Sequence, residues 1–358
     1  MKEENIKKVE ENKMKQNNPT NKKTTLINFI FIIIIFLGLL IYMIKVDGID
    51  NIILMLKSVD YKWVTLGMIC LIIFWVCEAV NLHIPIKKMY KGHKFKESVR
   101  VSMIGLLFNN ITPFASGGQP IQAYELMKTG KRVSDSFSAL VIKFIISQIA
   151  LVTSTIFIIL FQFKFFKTLI QDYMWIAVLG VLVNIIAIVI AILTGTKKKI
   201  VERLIMPIIR FLGKIHILKH TERTEEKAKD SIDNFSKQFK IIKTEKKMVL
   251  KMFIVAVIQG LAYYSITYMI YKAFGNTGIT FWQIIPTQAI LLLMMMFIPT
   301  PGSGIGAEGG FYLLFNKIFK EGTINMSILF WRIYTFYLPI IVGVLFLIPS
   351  KNRIKNNK

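Results

Sequence analysis

Residues 281–319 read FWQIIPTQAILLLMMMFIPTPGSGIGAEGGFYLLFNKIF, and this stretch decides the fold. An apolar run meets two prolines and a glycine cluster, a carboxylate follows at Glu308, and a second apolar run completes the stretch. Proline lacks a backbone N–H and stops a helix, so the chain must turn within apolar surroundings. Non-helical backbone is tolerated at membrane depth only against protein or a wet cavity. The stretch therefore predicts a broken helical hairpin inside a membrane.

A second stretch, 101–120, has the same design, with an apolar run that meets asparagine, proline and glycine. Its flanks are both basic, since 86–100 carries six Lys and Arg residues and 117–136 carries three. Basic loops stay on the cytoplasmic side of a membrane. We therefore expect this hairpin to enter and leave the membrane from the cytoplasmic side.

Six other apolar runs are long enough to cross about 30 Å of hydrocarbon. They occupy 25–44, 63–84, 137–163, 174–194, 249–271 and 327–348. The distribution of Lys and Arg predicts that the polar tail 1–24, the basic loop 196–250 and the basic tail 350–358 are cytoplasmic. Both termini of the chain are then cytoplasmic.

With this orientation the span 249–271 leads outward from the cytoplasmic loop, and the span 327–348 returns to the cytoplasmic tail. The hairpin 281–319 between them therefore opens outward, whereas the first hairpin opens inward. Opposed broken hairpins are typical of inverted repeats, whose binding site lies near the midplane between them. The sequence thus predicts an all-α polytopic membrane protein with about six full transmembrane helices and two broken re-entrant hairpins. The N-terminal membrane half is 25–195 and the C-terminal half is 251–349.

Composition supports a membrane protein. The chain has 358 residues, 54% of them hydrophobic, yet its formal net charge is +25. Apolar spans and charged loops reconcile these values, which exclude a single soluble domain, a disordered chain and a coiled coil. Sixteen Lys and Arg residues lie in 196–251, where apolar residues recur near helical spacing. This loop is either an amphipathic helix on the anionic membrane surface or a solvated connector.

The segment from Gly304 to Gly309 matches G-x-G-x-x-G, but a dinucleotide site needs a preceding strand and a βαβ unit. In a membrane hairpin the glycines expose backbone amides, and a helix that restarts near Glu308 turns its positive end towards a phosphate. Close helix packing through small residues is the alternative. Under the first interpretation the binding residues here include Pro301, Gly302, Gly304, Gly306 and Glu308.

Glu308 is the most informative residue, because a carboxylate in an apolar hairpin faces a cavity or a partner. Arg332 and Lys143 are the cations that lie inside predicted spans and could pair with it. Either cation could instead extend to the interface. Glu78 is similar, but its place near the cytoplasmic end of its span favours an interfacial position.

The first hairpin offers side-chain amides that could bind headgroup oxygens or satisfy freed backbone groups. The candidate binding residues here are Asn109, Asn110, Thr112, Pro113, Gly117, Gly118 and Gln119. His216 and His220 are four residues apart but lack the glutamate of a metalloprotease helix. We expect no metal site, no cofactor and no catalytic residue.

The two broken hairpins together resemble the signatures of the lysylphosphatidylglycerol synthase transmembrane family, also called UPF0104. The first signature is matched by the residues from Asn109 to Pro120 followed by Ala123 and Tyr124, and the second by those from Pro299 to Glu308. The resemblance covers nearly the whole chain after the polar tail. Lys143 and Arg332 fall where that family tends to carry a basic residue on the next helix.

The resemblance implies a flippase-like protein of the cell membrane that handles phospholipids such as lysylphosphatidylglycerol. Such a protein would contribute to envelope charge and to resistance against cationic antimicrobial peptides. Where many relatives carry Arg after the residue equivalent to Ile121, this chain has Gln122, which bears on the headgroup recognised.

The resemblance also implies an alternative. Two-part members carry a cytosolic domain that transfers lysine from lysyl-tRNA to phosphatidylglycerol, so the chain could be a phosphatidylglycerol lysyltransferase or the membrane partner of a soluble aminoacyltransferase. No stretch outside the spans is long enough for that domain. We therefore expect a phospholipid substrate and no tRNA partner for this chain alone.

Overall fold

The computed structural model describes residues 48–112, 116–161, 174–214, 221–295, 304–320 and 323–347, together with residues 37, 41, 44 and 45. Within these residues the chain forms helices and turns and contains no β-strand. The tails 1–24 and 350–358 and most of the predicted span 25–44 lie outside the described residues. The predictions for those three segments therefore stay predictions.

Five helices are long and apolar enough to cross a membrane. They are Tyr61–Met89, Val133–Phe157, Val178–Thr196, Lys246–Ala273 and Ile324–Leu347. Each overlaps one predicted span and most begin a few residues earlier, because polar residues at the ends of an apolar run continue the same backbone hydrogen bonding. The all-α membrane fold predicted from the sequence is confirmed.

The helices are numbered here in chain order. They are α1 (Ile49–Ser58), α2 (Tyr61–Met89), α3 (Phe95–Ile111), α4 (Gly118–Met127), α5 (Val133–Phe161), α6 (Met174–Thr196), α7 (Lys198–Lys214), α8 (Thr221–Thr244), α9 (Lys246–Ala273), α10 (Phe281–Met295), α11 (Gly304–Phe315), α12 (Ile324–Arg332) and α13 (Leu338–Leu347). A five-residue π-helical segment, Ile333–Tyr337, joins α12 to α13 and makes them one continuous span.

Helices α2 and α9 are the antiparallel centre of the bundle. At one end the Asp60 amide donates to the Ala273 carbonyl at 3.0 Å, and at the other the Lys88 Nζ lies 3.1 Å from the Glu245 Oε1. Halfway along, the Asn81 amide donates to the Gln259 carbonyl oxygen at 3.2 Å. Contacts at both ends and in the middle show that the two helices run side by side over their full lengths.

Helices α3 and α4 fold back on each other as the first hairpin. The Arg100 Nε lies 3.6 Å from the Glu125 Oε2, and the Gly118 amide donates to the Asn109 Oδ1 at 3.0 Å. From the first pair to the second, the residue number rises along α3 and falls along α4. The two helices are therefore antiparallel, as in a hairpin. The predicted broken hairpin within 101–120 is therefore present, although it begins at Phe95 and ends at Met127.

Helices α10 and α11 form the second hairpin, in which Gly310 lies against Leu291. Each hairpin follows the C-terminal end of a central helix, α3 after α2 and α10 after α9. Because α2 and α9 are antiparallel, the two hairpins enter the bundle from opposite ends. The order helix, broken hairpin, helix thus occurs twice with opposite directions, as the sequence predicts for inverted repeats.

Loops at the helix ends use glycine where the backbone requires it. Gly130 follows α4 with φ 81°, and Gly275 follows α9 with φ 66°. A left-handed residue just after a helix is strained for any side chain with a Cβ. At the start of α2, Asp60 caps the helix by accepting the Lys62 amide at 2.9 Å. These local signals fix where the spans end.

The basic loop folds into α7 and α8, which pack on each other and on the bundle. Ser138 on α5 donates to the Phe235 carbonyl of α8 at 3.2 Å, and Phe239 of α8 fills the space beside Gly195 of α6. The main apolar core lies elsewhere, among α2, α9 and α10 to α12, where Trp331 and Phe311 are fully buried. Among the described residues, the central helices and the second half thus contribute most of the members of this core.

Candidate functional site

The tip of the first hairpin satisfies its own backbone. Asn109 accepts the amide of Gly118 at 3.0 Å, and the Thr112 hydroxyl accepts the amide of Gly117 at 2.9 Å. The first amides of a helix lack partners within it, so these two side chains supply the partners α4 would otherwise lack. A Cβ on Gly118 would lie 2.1 Å from Asn109, which explains the glycine. Of the two roles that the sequence leaves open for Asn109, the structure shows the bond to a backbone amide of the hairpin.

The other candidates of this hairpin are dispersed. Asn110 donates to the Leu106 carbonyl at 3.0 Å on its own helix, and Gln119 is exposed in the first turn of α4. Pro113 lies outside the described residues. Gln122 is buried, and a Cβ on Gly105 would lie 2.2 Å from its side-chain nitrogen. Gln122 therefore packs between α3 and α4 as part of the hairpin interface.

The second hairpin turns a charged residue outward from its own helices. Helix α11 begins at Gly304, so the prediction that the helix restarts near Glu308 is wrong by about one turn. Gly306 lies in the first turn and Glu308 just beyond it, while Pro301 and Gly302 lie outside the described residues. Early glycines have no side chain to obstruct the approach of another group to the helix start.

Glu308 pairs with Arg332. The Arg332 Nε lies 3.3 Å from the Glu308 Oε1, and the side chains are 6% and 28% exposed, respectively. The guanidinium also lies over the ring of Phe336, 4.3 Å from its centroid. Of the two cations that the sequence offers to Glu308, the structure selects Arg332. The pair joins the start of α11 to the last span.

The backbone beside this pair is irregular. Arg332 is the last residue of α12, and the π-helical segment Ile333–Tyr337 follows at once. Single π-helical turns inside α-helices occur frequently at functional sites. Within this turn, the Thr335 hydroxyl donates to the Trp331 carbonyl at 2.7 Å, and the Tyr263 hydroxyl of α9 is close enough to Thr335 and to Arg332 to interact electrostatically. A tyrosine hydroxyl thus lies near the ion pair.

The first hairpin reaches the same region from the opposite end. Gly343 of α13 lies against Leu107 of α3, and Ile111 and Phe336 both pack on the cluster around Leu107. Helices α3 and α13 run in opposite directions, so the C-terminal end of α3 is level with the π-helical segment that precedes α13. The two hairpins therefore approach Arg332, one through Glu308 and the other through the end of α3.

A second charged pair is buried on the other half. Lys143 of α5 and Glu78 of α2 form a close ion pair whose side chains are 10% and 12% exposed. Gln259 of α9 donates to the second oxygen of Glu78 at 2.9 Å, and Asn81 donates to Gln259 at 3.2 Å. Every oxygen of Glu78 thus has a partner, which is the condition for a stable buried carboxylate.

Sequence reasoning missed Glu78 as a site residue. The sequence favours an interfacial position for this side chain, whereas the structure buries it against Lys143. The available signal is three polar residues in two apolar helices, namely Glu78, Asn81 and Gln259. A single sequence does not say that they face one another, because the relative rotation of α2 and α9 is set by packing.

Lys143 and Arg332 occupy corresponding places in the two halves. Each is about ten residues into the helix that follows a broken hairpin, α5 after the first and α12 after the second. Each is buried and each is paired with a glutamate. The arrangement of helices is thus repeated together with a buried cation.

A cavity of about 380 Å³, lined by both polar and apolar side chains, lies at the end of the bundle from which the first hairpin enters. Its lining includes Lys88, Tyr90, Arg132, Asp135 and Glu245. The Tyr90 hydroxyl donates to Asp135 at 2.5 Å, and burial raises the pKa of Tyr90 above its usual value. The volume is at the lower end of those that hold small ligands.

Comparison with known proteins agrees with this architecture. The family model described as the lysylphosphatidylglycerol synthase TM region matches residues 29–343. The chain belongs to this family. The match spans both hairpins and both charged pairs.

Curated relatives are membrane proteins of archaea. A UPF0104 membrane protein of Pyrococcus horikoshii is 23% identical over 328 residues, which cover 89% of this chain and 96% of that protein. A UPF0104 membrane protein of Methanocaldococcus jannaschii is 26% identical over 223 residues, covering 61% of this chain and 63% of that protein. A UPF0104 membrane protein of Methanothermobacter thermautotrophicus is 25% identical over 218 residues, covering 60% and 62%. These relatives support a membrane protein.

Proposed function

We propose that this protein moves phospholipids such as lysylphosphatidylglycerol between the two leaflets of the cell membrane. The observation that carries the proposal is the ion pair of Arg332 and Glu308, which joins a hairpin to a span inside the bundle. Charged side chains at membrane depth are costly and mark the path of a polar substrate. Two hairpins that enter from opposite ends give such a path a gate towards each leaflet.

The pair can exchange partners with a headgroup that carries both a phosphate and an amine. The phosphate takes the place of Glu308 against the Arg332 guanidinium, whose planar fork suits phosphate oxygens. The amine takes the place of Arg332 against Glu308. Each buried charge keeps an opposite charge beside it, so the headgroup enters without leaving either side chain unpaired.

The enclosed pair of Lys143 and Glu78 lies between the Arg332 pair and the cavity at the end of the bundle. Asp135 lines the cavity at the end of the bundle, and Lys143 lies two helical turns further along α5, about 12 Å at 1.5 Å per residue. A headgroup would pass from this cavity along α5, past the enclosed Lys143 pair, to the Arg332 pair, while its acyl chains remain in lipid. Rocking of one half against the other would close the path behind it.

The test uses the full chain reconstituted in liposomes that carry lysylphosphatidylglycerol on one leaflet. An amine-reactive reagent that does not cross the membrane reports how fast the lipid reaches the other leaflet. We expect Glu308→Gln and Arg332→Gln to slow transfer about tenfold or more, because one buried charge is left unpaired. Transfer by the wild-type chain no faster than in protein-free liposomes would refute the proposal.

The matched control removes a carboxylate from an ion pair outside the bundle. Glu225 of α8 accepts from Arg210 of α7 at 3.0 Å on the surface, so Glu225→Gln should transfer lipid at the wild-type rate. Equal loss in Glu225→Gln and Glu308→Gln would contradict a specific role for the hairpin. Phosphatidylglycerol lacks the amine, so its transfer is followed instead with a nitrobenzoxadiazole label on an acyl chain and dithionite added outside. Its rate measures what Glu308 contributes to headgroup choice.

A measurement in cells separates transport from aminoacyl transfer. Lipid extracted from cells that express this chain alone should contain no new aminoacyl-phosphatidylglycerol. Its appearance would instead support the lysyltransferase alternative that the family resemblance implies. In cells that already make lysylphosphatidylglycerol, expression should lower sensitivity to cationic antimicrobial peptides, and Glu308→Gln should remove that protection.

A further inference from the structure

We infer that α7 is a surface-docking helix that binds the anionic headgroups of the membrane leaflet beside it. The inference does not depend on the proposed transport, because α7 lies outside the bundle and outside both charged pairs. Helix α7 begins at Lys198, two residues after the span that ends at Thr196. With consecutive Cα atoms about 3.8 Å apart, its first turn stays close to the membrane surface.

One face of α7 is already occupied. Val201, Met206 and Ile209 are buried against α8, where Ile232 completes the cluster. Two ion pairs hold the helices together, Lys198 with Asp233 at 2.5 Å and Arg210 with Glu225 at 3.0 Å. The Asp233 carboxylate raises the pKa of Lys198, and the Arg210 guanidinium lowers the pKa of Glu225. Helix α8 in turn is anchored on the bundle, so α7 has a fixed orientation.

The opposite face carries an exposed apolar stripe. Ile200, Leu204 and Phe211 are 38%, 61% and 62% exposed. Spacings of four and seven residues place them on one side of the helix, turned away from α8. Within the part of the chain that the structure describes, no element covers this stripe. An exposed stripe of large apolar residues on an ordered helix marks a surface that binds something.

Charge identifies the occupant as lipid headgroups. Lys199 and Arg203 are exposed beside the apolar stripe, and among the described residues neither has a carboxylate partner. Glu202, the one acidic residue in the sequence of α7, lies towards α8 and pairs with Lys198 at 3.5 Å. A helix with apolar residues on one face and cations beside them lies in the headgroup region of anionic membranes. Because α7 directly follows a span, the headgroups within its reach are those of the leaflet at which that span ends.

The experiment places a polarity-sensitive fluorophore on the stripe of the full chain. In a Cys70→Ser, Cys77→Ser background, Leu204→Cys is labelled with nitrobenzoxadiazole and the protein is put into lipid nanodiscs. Asp230→Cys, on the exposed face of α8, is the matched control position. With phosphatidylglycerol in the nanodisc, we expect the label at 204 to be blue-shifted and quenched by brominated lipid, and the label at 230 to be neither.

Two changes test the charge component. Nanodiscs of phosphatidylcholine alone, or the double change Lys199→Gln and Arg203→Gln, should each reduce the quenching at 204 at least about twofold. The double change Lys237→Gln and Lys240→Gln, on the exposed face of α8, should leave it unchanged. Size-exclusion profiles of the variants confirm that each is folded.

Three outcomes would overturn the inference. The first is a label at 204 as solvent-exposed as the label at 230 in every lipid. The second is quenching that depends neither on phosphatidylglycerol nor on the two cations. The third is a blue shift without lipid in amphipol that grows with protein concentration, since that would identify another copy of the chain as the occupant.

Discussion

The two halves of this molecule share a layout and differ in how they use it. Each has a broken hairpin followed by a helix with a buried cation, Lys143 in the first half and Arg332 in the second. In the first half the hairpin tip bonds to itself through Asn109, and the cation pairs with a central helix. In the second half the hairpin supplies the carboxylate, Glu308, which pairs across to the last span.

This difference separates the polar residues that stabilise the fold from those that remain available for a substrate. In the Lys143 pair, Gln259 donates to the Glu78 oxygen that Lys143 does not contact, and both charged side chains are almost fully enclosed. The Glu308 side chain keeps about a quarter of its surface exposed. A headgroup can therefore compete for Glu308 at lower cost than for Glu78, because less buried structure must open.

The largest expected effect comes from breaking the enclosed pair. Lys143→Met leaves Glu78 buried without its cation, and such losses cost about 3–5 kcal/mol. We expect a large drop in the midpoint of thermal unfolding in detergent. The double change Glu78→Gln, Lys143→Met should recover most of that loss, because no unpaired charge remains. A double variant as unstable as the single one would show that Lys143 acts through packing.

Arg332→Met is the matching change in the second half. Its effect on stability should be below that of Lys143→Met, because the carboxylate that it leaves unpaired, Glu308, is 28% exposed, whereas Glu78 is 12% exposed. Unfolding midpoints of the two variants, measured side by side, check this ranking. Equal destabilisation would mean that both pairs are structural and that the halves do not differ in use.

The contact between the two halves predicts the next effect. A Cβ at position 343 would lie 2.6 Å from the Leu107 Cβ and 2.7 Å from the Met103 carbonyl oxygen. A helix backbone cannot move aside as a side-chain end can, so Gly343→Ala must separate α3 from α13. Overpacking of this kind costs about 1–3 kcal/mol. An unchanged unfolding midpoint would contradict this close packing.

Removing the internal bond of the first hairpin should have a smaller effect. Asn109→Ala leaves the Gly118 amide without its acceptor, which costs about 1–2 kcal/mol for a partly buried group. Hydrogen exchange at Gly118, followed by mass spectrometry of peptides from α4, should increase several-fold. Unchanged protection would show that another acceptor satisfies this amide.

The smallest effect is expected at Gly309 in the second hairpin. A Cβ there would meet no atom within 4 Å, in contrast to Gly118, where it would lie 2.1 Å from Asn109. Gly309→Ala should leave stability unchanged or raise it by up to about 1 kcal/mol through helix propensity. Gly118→Ala should lower it. Equal behaviour of the two alanine variants would remove the contrast between the hairpins.

Much of the fold was predictable because membrane insertion imposes strict local rules. Apolar runs of about 20 residues must be helical, and prolines with glycines must break them. The five described spans and both hairpins follow from these rules. The start of α11 was predicted about one turn late, because glycines at Gly304 and Gly306 read as a turn although the structure makes them helical.

The site was predictable only in part. Glu308 and Arg332 stood out because charges are rare in apolar segments, and the structure pairs them. The role of Glu78 was missed, because whether a carboxylate near the end of a span reaches the interface depends on the neighbouring helix. Asn109 could equally have faced a ligand or the backbone, and only the fold of the hairpin placed Gly118 against it.

The number and order of the described spans, the two breaks and the rare charges all follow from local sequence, because each depends on residues close together in the chain. The pairing of acids with cations, Glu78 with Lys143 and Glu308 with Arg332, follows only from the packed helices. Those pairings depend on the rotation and tilt of packed helices, which arise from contacts between distant segments. The apolar stripe of α7 illustrates both, since its periodicity is local and only the position of α8 shows which face remains exposed.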